Sequence, residues 1–201
     1  MGGAAEGDAT VSVNGDQLSA IIRTGDGVFR IQPLPGGLHA MIKVDVSGLP
    51  PDHPSEDPAP LNESRDINEL DLRGEKDDTI ARIEILIIFT PAAAIFSSNP
   101  VSLDAASIVE ETNKSLKNSG IRAELNLASA NVIPYQEAES QDIDLQRLLT
   151  AGDGYLDEAH ALRDQFSADI VVLLSNNGKY CGQAKEIFAS AQNAFATVYW
   201  A

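Results

Sequence analysis

Hydrophobic and polar positions follow two different patterns along this chain, and the change comes near residue 80. Before it, "VSVNGDQLSAIIRTGDGVFRIQPL" and "GGLHAMIKVDV" are short runs in which apolar and polar residues tend to alternate. Alternation places successive side chains on opposite faces and predicts strands. Asn14-Gly15, Gly25-Asp26-Gly27 and Gly36-Gly37 punctuate the runs, and such residues tolerate the positive φ of tight turns. Residues 1–60 therefore read as a small β meander. It ends in "SGLPPDHPSEDPAP", whose five prolines block both ladder and helix. Residues 61–79, "LNESRDINELDLRGEKDDT", are charged, poor in large apolar groups, and predict an exposed linker.

Residues 80–201 carry longer patterns. "RIEILIIFT" (82–90) is almost continuously apolar and β-branched, the signature of a strand buried on both faces, and Pro91 stops it. "SLDAASIVEETNKSLKNSG" (102–120) predicts a helix with Ser102 at its N-cap and Gly120 at its left-handed end. "IRAELNLASANVIPY" (121–135) predicts the next strand, and strand–helix–strand with short connections implies a right-handed parallel crossover. "SQDIDLQRLLT" (140–150) and "GYLDEAHALRDQFSA" (154–168) read as helices, the second with Leu156, Ala159, Leu162, Arg163 and Phe166 near one face. "DIVVLLS" (169–175) and "NAFATVYWA" (193–201) read as further strands. The fold class is α/β (α+β in detail): a mostly parallel mixed sheet with helices, preceded by the small β-rich unit.

Charge narrows the possible partners. The net charge is −16 and the pI about 4.3, which argues against nucleic acid and against anionic membrane surfaces. No run of 18 apolar residues is present, and "MGGAAEGDATVSV" lacks the basic start and apolar core of a secretory signal.

Residue chemistry alone completes no active site. His39, His53 and His160 are isolated, and none has the i, i+4 partner that sets two imidazoles on one helix face for a metal. His160 reads as a surface histidine beside Asp157, Glu158 and Asp164. The carboxylate runs "EAESQDIDLQ" and "DGYLDEAH" read as solvated helix faces. "GDGVFR" lacks the lysine and helix of a phosphate loop, and no serine sits in a nucleophile elbow. Cys181, the single cysteine, lies in the polar stretch "NNGKYCGQAKEI". It is either a small buried thiol or an odd cysteine whose partner lies elsewhere.

Several stretches resemble a known family. "IEILIIFTPAA" (83–93), "VEETNKSLKNSGIRAELNLASANVIPYQE" (109–137), "LDEAHALRDQFSADIVVLLSNNGKYCGQA" (156–184) and "AFATVYW" (194–200) resemble, in order and spacing, metzincin zinc endopeptidases. The likeness is to the reprolysin-like and bacterial peptidyl-Asp metallopeptidases. The earlier "GVFRIQPLPGGLHAMIKVDVSGLPPDHP" resembles the end of the family's pro-segment. The resemblance implies an enzyme that cleaves peptide or protein substrates with zinc-activated water, secreted or periplasmic, with Cys181 bonded to a cysteine just past the last strand. It also implies an edge strand, at Gly182, Gln183, Ala184 and Lys185, to which an extended substrate adds. Activation cleavage would fall at Arg65 or Arg73.

The family's zinc helix, His-Glu-x-x-His-x-x-Gly-x-x-His, is missing from these residues. The expectation is thus an N-terminal part of the enzyme, truncated before the zinc helix, binding no zinc and hydrolysing nothing by itself. One sheet face would lack cover, and the chain would self-associate or cover that face with its β-rich region. A competing reading is a non-catalytic peptide- or protein-binding module on the same scaffold. A third, a nucleotide-binding α/β domain, lacks the Gly-rich turn such sites need after "RIEILIIFT".

Overall fold

A computed structural model describes residues 7–52, 79–98, 100–186 and 189–200. Four strands, β1 (Asp8–Asn14), β2 (Gln17–Thr24), β3 (Gly27–Pro33) and β4 (His39–Lys43), form an antiparallel sheet in that order. The first turn carries Gly15 at φ +62°, a conformation that costs a glycine little. The stretch read as a linker lies outside the described residues except for Thr79.

The larger sheet is built on β5 (Ala81–Phe89), which pairs in parallel with β6 (Ala123–Val132) on one side and β7 (Ile170–Ser175) on the other. β9 (Phe195–Tyr199) continues the parallel set, and the short β8 (Gly182–Ala184) closes the order β6-β5-β7-β9-β8 as an antiparallel edge. The apolar run predicted at 82–90 is buried from Ile85 to Phe89 because both sheet faces are covered. At its end Thr90 caps the single-turn helix α1 (Pro91–Ala94) by accepting from Ala93 N.

The two faces are covered by different helices. Ile85, Ile87 and Phe89 point toward α2 (Ser102–Asn118), where Ala105 and Val109 meet them. Leu86 and Ile88 point the other way, toward Leu148 of α3 (Gln141–Leu149) and Ala159 of α4 (Asp157–Phe166). Ser140 caps α3 through its side chain. The sequence reading put Ser102 at the N-cap of α2, but Val101 holds that position without a side-chain bond. The Asp104 carboxylate, one turn in, instead accepts from Ser98 N at 2.6 Å and holds the entry to the helix. Gly120, at φ +69°, takes the left-handed turn that follows the helix. Phe166, grouped by spacing near one face of α4 with Leu156, Ala159 and Leu162, is exposed, while those three do face the core.

The meander sits on the outer side of α2. Cross-strand register puts Thr10, Ser12, Ser19, Arg23 and Arg30 on one face, and all five bond to α2. Val11, Val13 and Met41 lie on the opposite face and are exposed.

Candidate functional site

The edge strand β8 is the feature that the family resemblance singles out for function. Its register with β9 pairs Gly182 with Val198, Gln183 with Thr197 and Ala184 with Ala196. Being last in the sheet, it has a strand on one side only among the described residues, and an unpaired edge is a template for another extended chain. Three of the four residues named from sequence form this strand; Lys185 follows it and is exposed.

Side chains of α3 hold the strand from one face. Gln183 Nε2 donates to Asp142 Oδ1 at 2.8 Å, and Lys179 Nζ lies 2.8 Å from Asp142 Oδ2. The Lys179 ammonium, and then the Gln183 amide, keep the Asp142 carboxyl below the usual carboxylate range. Beside them a cleft of about 420 Å³ runs between α3 and β8, lined in part by Leu145, Gln146, Leu149 and Ala184.

Cys181 opens the strand. It is half-buried and free. Its Sγ lies 3.0 Å from Pro50 O, its N–H donates to Pro51 O at 2.9 Å, and its carbonyl accepts from Tyr199 N at 2.9 Å. Burial, followed by the nearby Asp52 carboxylate, pushes the thiol pKa up, so the nucleophilic thiolate is disfavoured. The chain leaving the meander therefore lies across the head of the edge strand.

The loop before Cys181 is braced by two carboxylates, one buried and one half-buried, that the sequence reading placed in solvent. Asp144, in the run read as a solvated face, is fully buried. Its Oδ1 accepts from Tyr135 Oη at 2.6 Å and Ala138 N at 2.8 Å, and its Oδ2 from Asn177 Nδ2 at 2.9 Å. Burial, with help from the bond to Asp144, pushes the Tyr135 phenol up to about 12. Glu137 accepts from Asn176 N at 2.8 Å and from the Thr90 hydroxyl. A signal was present: Gln141, Asp144, Leu145 and Leu148 share the i, i+3, i+4, i+7 spacing of one buried stripe.

The histidines stay apart. His39 Nε2 accepts from Leu18 N at 3.0 Å. His160 is half-buried, not a surface residue: its Nε2 lies 2.9 Å from Leu148 O and its ring sits 5.0 Å from that of Phe195. The helix turns it inward, across to the end of α3. His53, Arg65 and Arg73 fall outside the described residues. Among the described residues no group of three His, Cys, Asp or Glu side chains could hold a metal ion. The donor set does not fit zinc, and no zinc step is assigned to it.

The comparisons with known proteins agree with the direction of the sequence reading. A peptidyl-Asp metalloendopeptidase of Stenotrophomonas maltophilia (strain K279a) is 34% identical over 189 residues, which are 93% of this chain and 45% of the relative. That of Xanthomonas campestris pv. campestris is 32% identical over the same shares. The chain is similar to peptidyl-Asp metalloendopeptidases. It is thereby related to metallopeptidases, and it spans less than half the length of these curated relatives. No family model matches. Among solved structures, a chain from a chaperone–substrate complex matches with a TM-score of 0.51 at 16% identity, covering 96% of this chain and 29% of that one, a likeness of fold alone. Metalloproteinase-II of Bacteroides fragilis has a TM-score of 0.49 at 13% identity, covering 96% of this chain and 63% of its own.

Proposed function

We propose that this chain is the amino-terminal part of a secreted, zinc-dependent endopeptidase of the peptidyl-Asp kind. In this reading residues 80–201 supply the strand framework of the catalytic domain, and residues 1–60 are its pro-segment, joined through 61–79. An extended peptide adds to the outer edge of β8 at Gly182, Gln183 and Ala184, with Lys185 beside it. Zinc and the general base come from residues outside these 201, so the chain itself is inactive. The observation that carries the reading is similarity to the peptidases along 93% of the chain, β-rich region included.

Two contacts support a pro-segment role for the meander. The chain leaving it meets Cys181 through Pro50 and Pro51, at the head of the proposed substrate edge. The Arg30 guanidinium stacks 4.3 Å above the Trp200 ring, so the β-rich region also reaches the sheet face beside α2. Cleavage at Arg65 or Arg73 would free both.

The test uses the 201-residue chain with zinc and an extended Asp-containing peptide. The expected result is no hydrolysis, no tightly held zinc, and amide shifts at Gly182–Ala184 on peptide addition. One equivalent of tightly bound zinc with chelator-sensitive cleavage would overturn the assignment of ligands, and shifts confined to other strands would overturn the substrate edge.

A further inference from the structure

Among the described residues, four buried side-chain atoms have no hydrogen-bond partner: Gln141 Nε2, Ser175 Oγ, Gln183 Oε1 and Thr197 Oγ1. A buried polar group left unpaired loses its bonds to water and gains none, so four such groups in one layer of the fold call for a partner. Register and packing place the four residues in the layer between α3 and the sheet. Phe195 and Leu173 face the α3 side of the sheet, so Thr197 and Ser175, two residues further on, face the same side. Thr197 pairs in register with Leu173 on β7 and with Gln183 on β8, and Ser175 is its diagonal neighbour. Gln141 begins α3, which lies over β8 and β9.

The orientation of both amides is fixed by their other halves. Gln141 Oε1 accepts from Tyr180 N at 2.9 Å, which leaves Nε2 as the orphaned end. Gln183 Nε2 donates to Asp142 Oδ1 at 2.8 Å, which leaves Oε1 as the orphaned end. The four atoms therefore comprise one obligate donor, one obligate acceptor and two hydroxyls that can act either way. An amide N–H repels a cation, and an amide carbonyl repels an anion. The set matches a neutral molecule that both donates and accepts.

We propose that these four groups form a buried water site between α3 and the strands β7, β9 and β8. At least one ordered water accepts from Gln141 Nε2, donates to Gln183 Oε1, and completes its bonds with the Ser175 and Thr197 hydroxyls. Buried waters typically make about three such bonds. The site ties the edge strand to the sheet interior and to α3 through hydrogen bonds rather than apolar packing. It fixes the backbone of Gln183 at the centre of β8, and it stands whether or not that edge binds a peptide.

Thr197→Val decides between a wet and a dry site, because it keeps the shape of the side chain and deletes its hydroxyl. If a water is bound there, the substitution lowers Tm by roughly 2–4 °C. Adding Ser175→Ala then costs less than it does alone, since both hydroxyls serve the same water. If the site is dry, each substitution removes an unpaired polar group, Tm rises, and the two effects add. A high-resolution crystal structure of the unmodified chain supplies the direct readout. Ordered water within hydrogen-bond distance of Gln141 Nε2 and Gln183 Oε1 supports the proposal. Direct bonds among the four side chains with no water between them overturn it.

Discussion

α2 is packed on two sides by two different kinds of surface. Toward the large sheet it presents Ala105 and Val109 to Ile85, Ile87 and Phe89, an apolar contact. Toward the meander it presents Asp104, Ser107, Glu111 and Lys114, which meet Ser19, Arg30, Ser12, Thr10, Arg23 and Asp8. Among the described residues, none of the meander belongs to either buried apolar cluster. The difference teaches how separable the two parts are. An apolar interface must stay shut, because opening it exposes surface at about 25 cal/mol per Å². A polar one can exchange its partners for water, and most exposed ion pairs contribute only about 0–1 kcal/mol. The exception is the centre of that interface. Asp104 is 2% exposed and accepts from Ser19 Oγ at 2.7 Å and Arg30 Nη2 at 3.0 Å, so the docking energy concentrates there.

The largest expected effect comes from the apolar side. Leu86→Ala should cost about 3–4 kcal/mol, because Leu86 is fully buried in the core between β5 and the α3–α4 layer. Urea denaturation followed by near-ultraviolet signals from Trp200 should show one transition moved to lower denaturant. A loss under about 1 kcal/mol would mean that the sheet is not the stabilising unit.

Asp104→Ala should come second and should act on the meander and on the entry to α2, where the carboxylate also accepts from Ser98 N. It leaves the largely buried Arg30 without its carboxylate, a change that weakens docking by about 3 kcal/mol. That is roughly a hundredfold in the docking equilibrium. Hydrogen exchange should speed up at amides of residues 8–43 while Ile85–Phe89 keep their protection. Equal loss in both regions would erase the contrast between the two interfaces.

The smallest effect tests a polar contact that lies inside the α/β unit. Tyr135→Phe removes the bond to Asp144 and should cost about 1 kcal/mol, spread over the whole unit. It should also change the alkaline limb of stability. The phenol pKa is raised from 10.0 to about 12, so the folded state holds this proton more tightly than the unfolded chain does. Its contribution is complete below pH 10.0 and is lost as pH rises toward about 12. Melting temperatures across that window should fall less steeply in the variant; an unchanged slope would remove Tyr135 as the cause.

Much of the framework was legible from period alone. The almost continuously apolar run at 82–90 fixed a strand buried on both faces, and β5 is that strand. Strand–helix–strand order gave the parallel pairing of β5 and β6. The edge strand was found through family likeness, because three residues, Gly182–Ala184, carry too little pattern to announce a strand. Readings of polarity fared worst. Asp144 and Gln141 stood in a charged run and are fully buried, and His160 stood among acids and packs on Phe195.

The sequence by itself determined the elements, their order and the apolar stripes that cover the large sheet, since these depend on the local geometry of 3.6 and 2.0 residues per repeat. It also determined that no zinc motif lies within these 201 residues. Only the tertiary structure decided which polar groups are buried and with whom. Asp104 meets Arg30 across 74 positions, and Gln183 meets Asp142 across 41. A carboxylate or amide reads the same in sequence whether it faces water or a partner. What distinguishes the two is the arrival of a distant element carrying the matching donor or acceptor, and that depends on how the whole chain closes.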